Sequence, residues 1–457
     1  MGKPGSRPTD SASADWMAGV LMTASPTHHT LPLVPTASSQ YARYWRWHFY
    51  AAWIAIPFIV WQSLTGVLYL WHQELADALW PQLRWSAQAA RMPAAVVDLD
   101  TQLEAVRAAR PDAKLLSVRV ESDPARSTLI LLDDGNGLPA AAFVDPADGR
   151  LLSILPSTTW LPGLTRGLHG GWPLGAPGSW LLELGACWTI VMVLTGLYLW
   201  WPRGARGLAG VLYPRLGSGN RRVFWRDLHA VTGFWCAGIL LIFLLTALPW
   251  TDVWGERVLK PLRAWTGQVT PVPAGIAPAP HHLGSATAAS DWPPLAQAVA
   301  TARQAGLLGA LELRAQADRI VVGNQLGRSA GETALHLDRA TGAELGRVGW
   351  AQQPWVPRWI ATGVDLHEGT FFGRANQWFN TSLVVVLLWL VVSGCIGWYR
   401  RRPGGGLAAP PRRILSWPSG LRTALVGTCV LLPLLGLSVL LIWVLDRWLV
   451  VSRLRPV

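Results

Sequence analysis

Four of the ten histidines in this 457-residue sequence recur at matched positions. Matched imidazoles are candidates for holding a metal between them, because neutral imidazole is the commonest metal-binding side chain. The run Leu168-His169-Gly170-Gly171-Trp172-Pro173-Leu174-Gly175 aligns without a gap with Leu366-His367-Glu368-Gly369-Thr370-Phe371-Phe372-Gly373. Both continue to a tryptophan, Trp180 and Trp378, so the shared pattern is LHxGxxxGxxxxW. Twenty-six residues after each of these histidines comes a hydroxyl–glycine pair, Thr195-Gly196 and Ser393-Gly394. The other two, His48 and His229, each stand 17 residues before a threonine, Thr65 and Thr246, and each follows a Trp-Arg pair, Trp45-Arg46 and Trp225-Arg226.

The elements that position them are membrane spans. Hydrophobic residues make up 51% of the chain and charged residues 14%, with a mean hydropathy of +0.26. Soluble domains carry roughly 25% charge. Five segments reach the ~20 apolar residues a spanning helix needs, at 49–71, 180–201, 228–250, 378–399 and 425–445. The connection after the second holds Arg203, Arg206, Arg215, Arg221, Arg222 and Arg226, and the one after the fourth holds Arg400, Arg401, Arg402, Arg412, Arg413 and Arg422. Short basic loops stay in the cytoplasm. The expectation is a bacterial inner-membrane protein with its N-terminus inside and two large loops in the periplasm. The C-terminal tail should also face outside. This placement accounts for the net charge of +12 without nucleic acid as a partner. The lipid bilayer is the partner that composition implies. The four cysteines, all within predicted spans, read as packing residues, and many of the 29 tryptophans as interfacial belts.

The pattern repeats as two units of span, external domain and span, about 43–203 and 225–402. Within 73–179, a helix at Leu99–Ala109 precedes strand-like runs at 115–120, 127–132 and 141–144, closed by Asp145…Gly149. Within 251–377, a helix at Leu295–Gln304 precedes runs at 310–314 and 319–322, closed by Asp338…Gly342. The fold class is therefore a mainly α-helical polytopic membrane protein. It has tandem duplicated units of span, periplasmic α+β domain and span, plus a fifth C-terminal span. The boundaries are a disordered tail 1–40, spans 41–72, 180–202, 228–250, 378–399 and 423–446, cytoplasmic loops 203–227 and 400–422, and a tail 447–457.

Two parallel units are related by an axis along the membrane normal, so equivalent residues share a depth. His48 and His229 fall at the cytoplasmic level, His169 and His367 at the outer level. Two imidazoles facing across the axis can hold one haem iron, which gives two haems stacked across the bilayer. Inherited duplication without function and a proton path are the rival readings of the same four residues. His72 has no repeat partner; it could replace His169 or His367, hydrogen-bond a propionate, or be interfacial. Glu183 could accept from a ligating histidine or pair with an arginine. Thr65, Thr195, Thr246 and Ser393 read as packing residues, with Gly66, Gly196 and Gly394 allowing close helix approach. His281, His282 and His336 read as solvent-facing. No phosphate loop, dinucleotide fingerprint, nucleophile elbow or HExxH is present.

These motifs resemble the PepSY-associated transmembrane family over about 41–403, with external modules similar to PepSY domains. Some members are iron-regulated inner-membrane haem proteins that reduce ferric siderophores. The resemblance implies haem b at His48, His229, His169 and His367, a cytoplasmic or quinol electron donor, and a periplasmic ferric siderophore as acceptor. The expected function is transmembrane electron transfer of the ferric-siderophore reductase type. The alternative is a non-redox, membrane-anchored module whose external domains bind a siderophore, peptide or protease.

Overall fold

Among the described residues, four helices are long and apolar enough to cross a membrane: Gln40–Leu70, Ala176–Trp200, Arg221–Trp250 and Arg374–Tyr399. The computed structural model describes residues 37–87, 96–133, 139–156, 158–203, 207–273, 287–288, 292, 294–316, 319–402 and 419–453. His281 and His282 lie outside the described residues, as does the expected tail up to residue 36.

In chain order the first unit holds α1 (Ala37–Leu70), α2 (His72–Leu79), α3 (Leu99–Ala109), β1 (Lys114–Val120), β2 (Thr128–Asp133), β3 (Pro139–Val144), β4 (Leu151–Leu155), α4 (Leu161–Gly170) and α5 (Ala176–Trp200). The second holds α6 (Arg221–Ala247), β5 (Thr287–Ala288), α7 (Leu295–Gln304), β6 (Ala310–Ala315), β7 (Arg319–Gln325), β8 (Thr333–Asp338), β9 (Glu344–Gly349), α8 (Trp355–His367) and α9 (Arg374–Tyr399). The two units match element for element through their cores. The expected glycine turns close both hairpins: Gly149 (φ 70°) and Gly342 (φ 69°) donate N–H to Asp145 and Asp338 carbonyls, both at 2.9 Å.

The spans pack in a closed ring, α1 on α5, α5 on α6, α6 on α9 and α9 on α1. Equivalent helices of the two units therefore stand diagonally opposite, as a parallel repeat requires. Contact is close: a Cβ on Gly185 of α5 would lie 2.5 Å from Phe58 Cβ on α1. Outward residues such as Trp53, Leu64, Ile242 and Val385 are exposed, the distribution expected of a bundle solvated by lipid.

The two α+β domains are not separate. Antiparallel pairing of β1 with β6, in register Val118↔Leu313 and Val120↔Leu311, joins them into one nine-stranded sheet ordered β4-β3-β2-β1-β6-β7-β8-β9, with β5 beside β1. Alternating residues from both halves fill one core under α3 and α7, including Leu103, Leu115, Val118, Ile130, Leu295, Leu313, Val322 and Leu335. Each fully buried leucine or isoleucine stabilises by about 2 kcal/mol. A carboxylate crosses the junction too. Pro294 precedes α7 and offers no capping side chain; Asp100 of α3 instead accepts the N–H of Leu295 at 2.5 Å and of Ala296 at 3.1 Å. His336, expected to face solvent, is 7% exposed, opposite Val321 in the sheet.

The expected fifth span is interrupted. It is two helices, α10 (Ser419–Leu431) and α11 (Pro433–Arg453). Proline lacks the N–H that would continue the ladder. A Cβ on Gly436 would lie 2.7 Å from the carbonyl oxygen of Cys429, seven residues earlier, where a straight helix leaves roughly two turns. The chain turns sharply at Leu432. Leu431 accepts from the Trp254 indole, just past the sheet-side end of α6, while Ser438 accepts from Trp188, midway along α5. Beyond Pro433 the chain thus runs away from the sheet, against the expectation that the tail emerges beside it.

Candidate functional site

The LHxGxxxG motif builds a corner. His169 lies in the last turn of α4; Gly171, at φ 108°, ends that helix, and Gly175, at φ 60°, precedes α5. The second copy repeats this, with His367 ending α8, Gly369 at φ 77° and Gly373 at φ 59°. Only glycine adopts these backbone conformations without strain. Each histidine is therefore carried on a short helix that folds down against the sheet-side ends of the spans.

The four repeat histidines meet in two pairs. The rings of His48 on α1 and His229 on α6 have centroids 6.3 Å apart, at 73° to each other. The rings of His169 and His367 are 6.2 Å apart at 57°. The first pair lies at the end of the bundle that bears the arginine loops, the second beneath the sheet. His48 is 18 residues from Gly66, which touches His169, so the levels differ by about 27 Å.

Hydrogen bonds set three of the four rings. His48 Nδ1–H donates to the Met192 carbonyl at 2.9 Å and faces the Thr195 hydroxyl at 3.2 Å. His229 Nδ1–H donates to the Leu390 carbonyl at 3.1 Å and faces Ser393 Oγ at 3.1 Å. His169 Nδ1 lies 3.0 Å from Thr65 Oγ1, whose own proton goes to the Trp61 carbonyl. A carbonyl, or a hydroxyl already donating, accepts only from a protonated nitrogen. That assigns the Nδ1–H tautomer and leaves the Nε2 lone pair for a ligand. His367 departs from the pattern: its buried Nδ1 has no hydrogen-bond partner.

The glycines make room for the rings. A Cβ on Gly196 would lie 3.1 Å from His48 Cε1, one on Gly394 3.2 Å from His229 Cε1, and one on Gly66 3.2 Å from His169 Cε1. The hydroxyl–glycine pairs expected to be packing residues thus orient and seat the imidazoles. In the second unit Ala247 stands at the position of Gly66.

His72 and Glu183, whose roles the sequence left open, take other partners. Both ring nitrogens of His72 are occupied, Nδ1 by the Tyr69 carbonyl at 2.5 Å and Nε2 by the Gln73 amide at 3.0 Å. Gln73 in turn accepts from Arg84, which bonds Asp77 at 2.9 Å, so His72 belongs to a network under the first domain. Glu183, 1% exposed, accepts the N–H groups of Val253 at 3.0 Å and Trp254 at 3.1 Å, capping the π-helical segment Asp252–Leu259. Among the described residues no hydrogen bond joins it to a histidine. Sequence reasoning passed over Asn380, 1% exposed, which donates to the carbonyls of Leu366 at 2.8 Å and His367 at 3.0 Å and pins the end of α8. The signal was available, as amides inside an apolar span are costly unless bonded.

Among the described residues no three His, Cys, Asp or Glu side chains converge as a metal site; the histidines meet in twos. The sequence profile of the PepSY-associated TM region matches residues 45–401. No curated protein shows significant similarity to the chain.

Proposed function

This chain is a member of the PepSY-associated transmembrane family, and we propose that it is a transmembrane electron carrier holding two b-type haems, which reduces an acceptor on the sheet side. The observation that carries this reading is the separation of the paired rings. A metal held in line between two imidazole nitrogens, each about 2 Å away with the ring centre about 1.1 Å behind, sets the centroids roughly 6.2 Å apart. The observed separations are 6.3 and 6.2 Å. Two Nδ1–H groups donating to carbonyls, and a glycine at three of the four rings, suit the same role.

His48 and His229 would hold one iron, His169 and His367 the other. Bound there, the group supplies a one-electron ferric/ferrous couple in a low-dielectric bundle. The chain's own contribution is to fix the tautomers through Met192, Leu390 and Thr65, to seat the rings against Gly196, Gly394 and Gly66, and to keep both pairs inside a lipid-solvated ring of helices. The arginine loops orient the bundle with the sheet in the periplasm of the inner membrane and a cytoplasmic protein or quinol as donor. A ferric siderophore suits the acceptor role, because reduction to Fe(II) weakens binding by hard oxygen ligands.

The family match by itself supports a coarser second reading, a membrane-anchored binding or regulatory module with no redox role. The continuous sheet under α3 and α7 favours that reading as a rigid outer platform. Absorption spectroscopy separates the two. A Soret band with sharp reduced α and β bands, and haem recovered by pyridine extraction, is the expected result. A colourless protein that takes up no added haem contradicts the redox reading and leaves the binding module.

A further inference from the structure

Two repeat-equivalent arginines, Arg203 and Arg401, 198 residues apart, lie at the same end of the bundle as the His48–His229 pair. Each follows by seven residues the glycine that seats a histidine of this pair, Gly196 or Gly394. Contacts with α1 fix their level. The Arg401 guanidinium lies 4.3 Å over the ring of Trp45, one turn before His48. The Arg203 guanidinium lies 4.3 Å over Tyr198 and 5.8 Å from the ring of Tyr41, two turns before His48. The two cations therefore stand about one to two helical turns, roughly 5–10 Å, outside the imidazoles.

Neither forms an ion pair with a carboxylate among the described residues. The nearby acid, Asp227, is held by Arg215 at 2.7 Å and Arg226 at 2.8 Å. Arg401 Nε is buried without a hydrogen-bond partner. Burial pushes the Arg401 guanidinium down from its ordinary value, and the nearby charge of Arg222 adds to this. A partly buried cation with an unmet donor favours an anion; Arg203 is exposed at the same end and donates to the Tyr198 carbonyl at 3.0 Å. Retention of basic loops inside the cell accounts for the number of arginines, but not for a buried Nε facing none of the available acids.

We infer that Arg203 and Arg401 clamp the two propionate carboxylates of the macrocycle held between His48 and His229, turning its carboxylate edge toward the arginine loops. This rests on the haem reading above. A b-type haem carries two carboxylates on one edge, and two arginines related by the internal repeat match them one to one. Guanidinium–carboxylate bonds are charge-assisted and favour paired geometry. The clamp would fix the rotation of the ring about the His48–His229 axis, which the two axial bonds leave free.

The test uses full-length protein carrying His169→Ala, so that only this pair remains, purified haem-free in detergent and titrated with haem and with haem dimethyl ester. The parent is expected to bind haem about tenfold or more tighter than the ester. In R203Q/R401Q, haem affinity should fall to that of the ester, while ester affinity stays at the parent value and shows that the site is folded. R203K/R401K should lie between. The clamp is overturned if R203Q/R401Q keeps the parent's preference for haem, or if it loses haem and ester equally. A parent that binds neither compound removes the haem reading itself, a different outcome from intact binding without discrimination.

Discussion

The Thr65 hydroxyl lies 3.0 Å from His169 Nδ1, whereas its repeat equivalent, the Thr246 hydroxyl, turns to the Phe243 carbonyl at 2.9 Å and leaves His367 Nδ1 without a hydrogen bond. The sheet-side pair is thus supported from one side only. Groups that orient a metal-binding histidine typically contribute 10- to 100-fold in affinity. Thr65→Val is expected to weaken haem retention at this pair by about tenfold, and Thr246→Val to leave it unchanged. Haem transfer to excess apomyoglobin measures both.

Gly394 and Gly196 make the converse case. An added methyl at either would press on a histidine Cε1 from 3.2 or 3.1 Å. Alanine in a helix interior stabilises by roughly 0.5–1 kcal/mol relative to glycine, so a loss of cofactor would not come from weakened helix. Gly394→Ala and Gly196→Ala should each lower haem occupancy of the His48–His229 pair with helical circular dichroism intact. Gly238→Ala on α6, where a Cβ meets nothing within 4 Å, should lower neither.

Glu183 holds two backbone N–H groups in a buried setting and no imidazole. Glu183→Leu orphans both donors, at a cost of about 1–3 kcal/mol each. The expected outcome is a lowered Tm with haem content per folded protein unchanged. A selective change in one haem's spectrum would instead place Glu183 in the site.

Asp77 joins Arg84 and Arg126 beneath the first domain. Burial pushes its carboxyl up, but hydrogen bonds from Arg84 and Arg126 outweigh that and hold it below the usual carboxylate range. A carboxyl lowered on folding contributes stability that is fully present above its unfolded value near 4 and is lost as pH falls through the folded value. Tm should therefore drop as pH is lowered below about 4, and Asp77→Asn should be less stable at pH 7 with a shallower acid decline.

Much of this was legible in the sequence. The spans, the duplicated domains and the four matched histidines follow from periodicity and spacing, because lipid imposes long apolar runs and duplication preserves register. The pairing of β1 with β6 was not, since an edge strand carries no local mark of a partner some 190 residues away. The roles of Thr195 and Ser393 were hidden because hydroxyl–glycine steps serve equally in plain helix packing. The break at Pro433 was hidden because an isolated proline can kink a span without ending it. The partners of His72 and Glu183, Gln73 and the Val253–Trp254 amides, were hidden because they belong to connections whose course composition does not fix.

The most direct measurement is the haem-to-protein ratio of the wild type beside His229→Ala and His367→Ala. Two haems per chain are expected in the wild type and one in each variant, with the haem lost differing between them in its reduced spectrum. A wild type with no haem, or variants that both keep two, would contradict it.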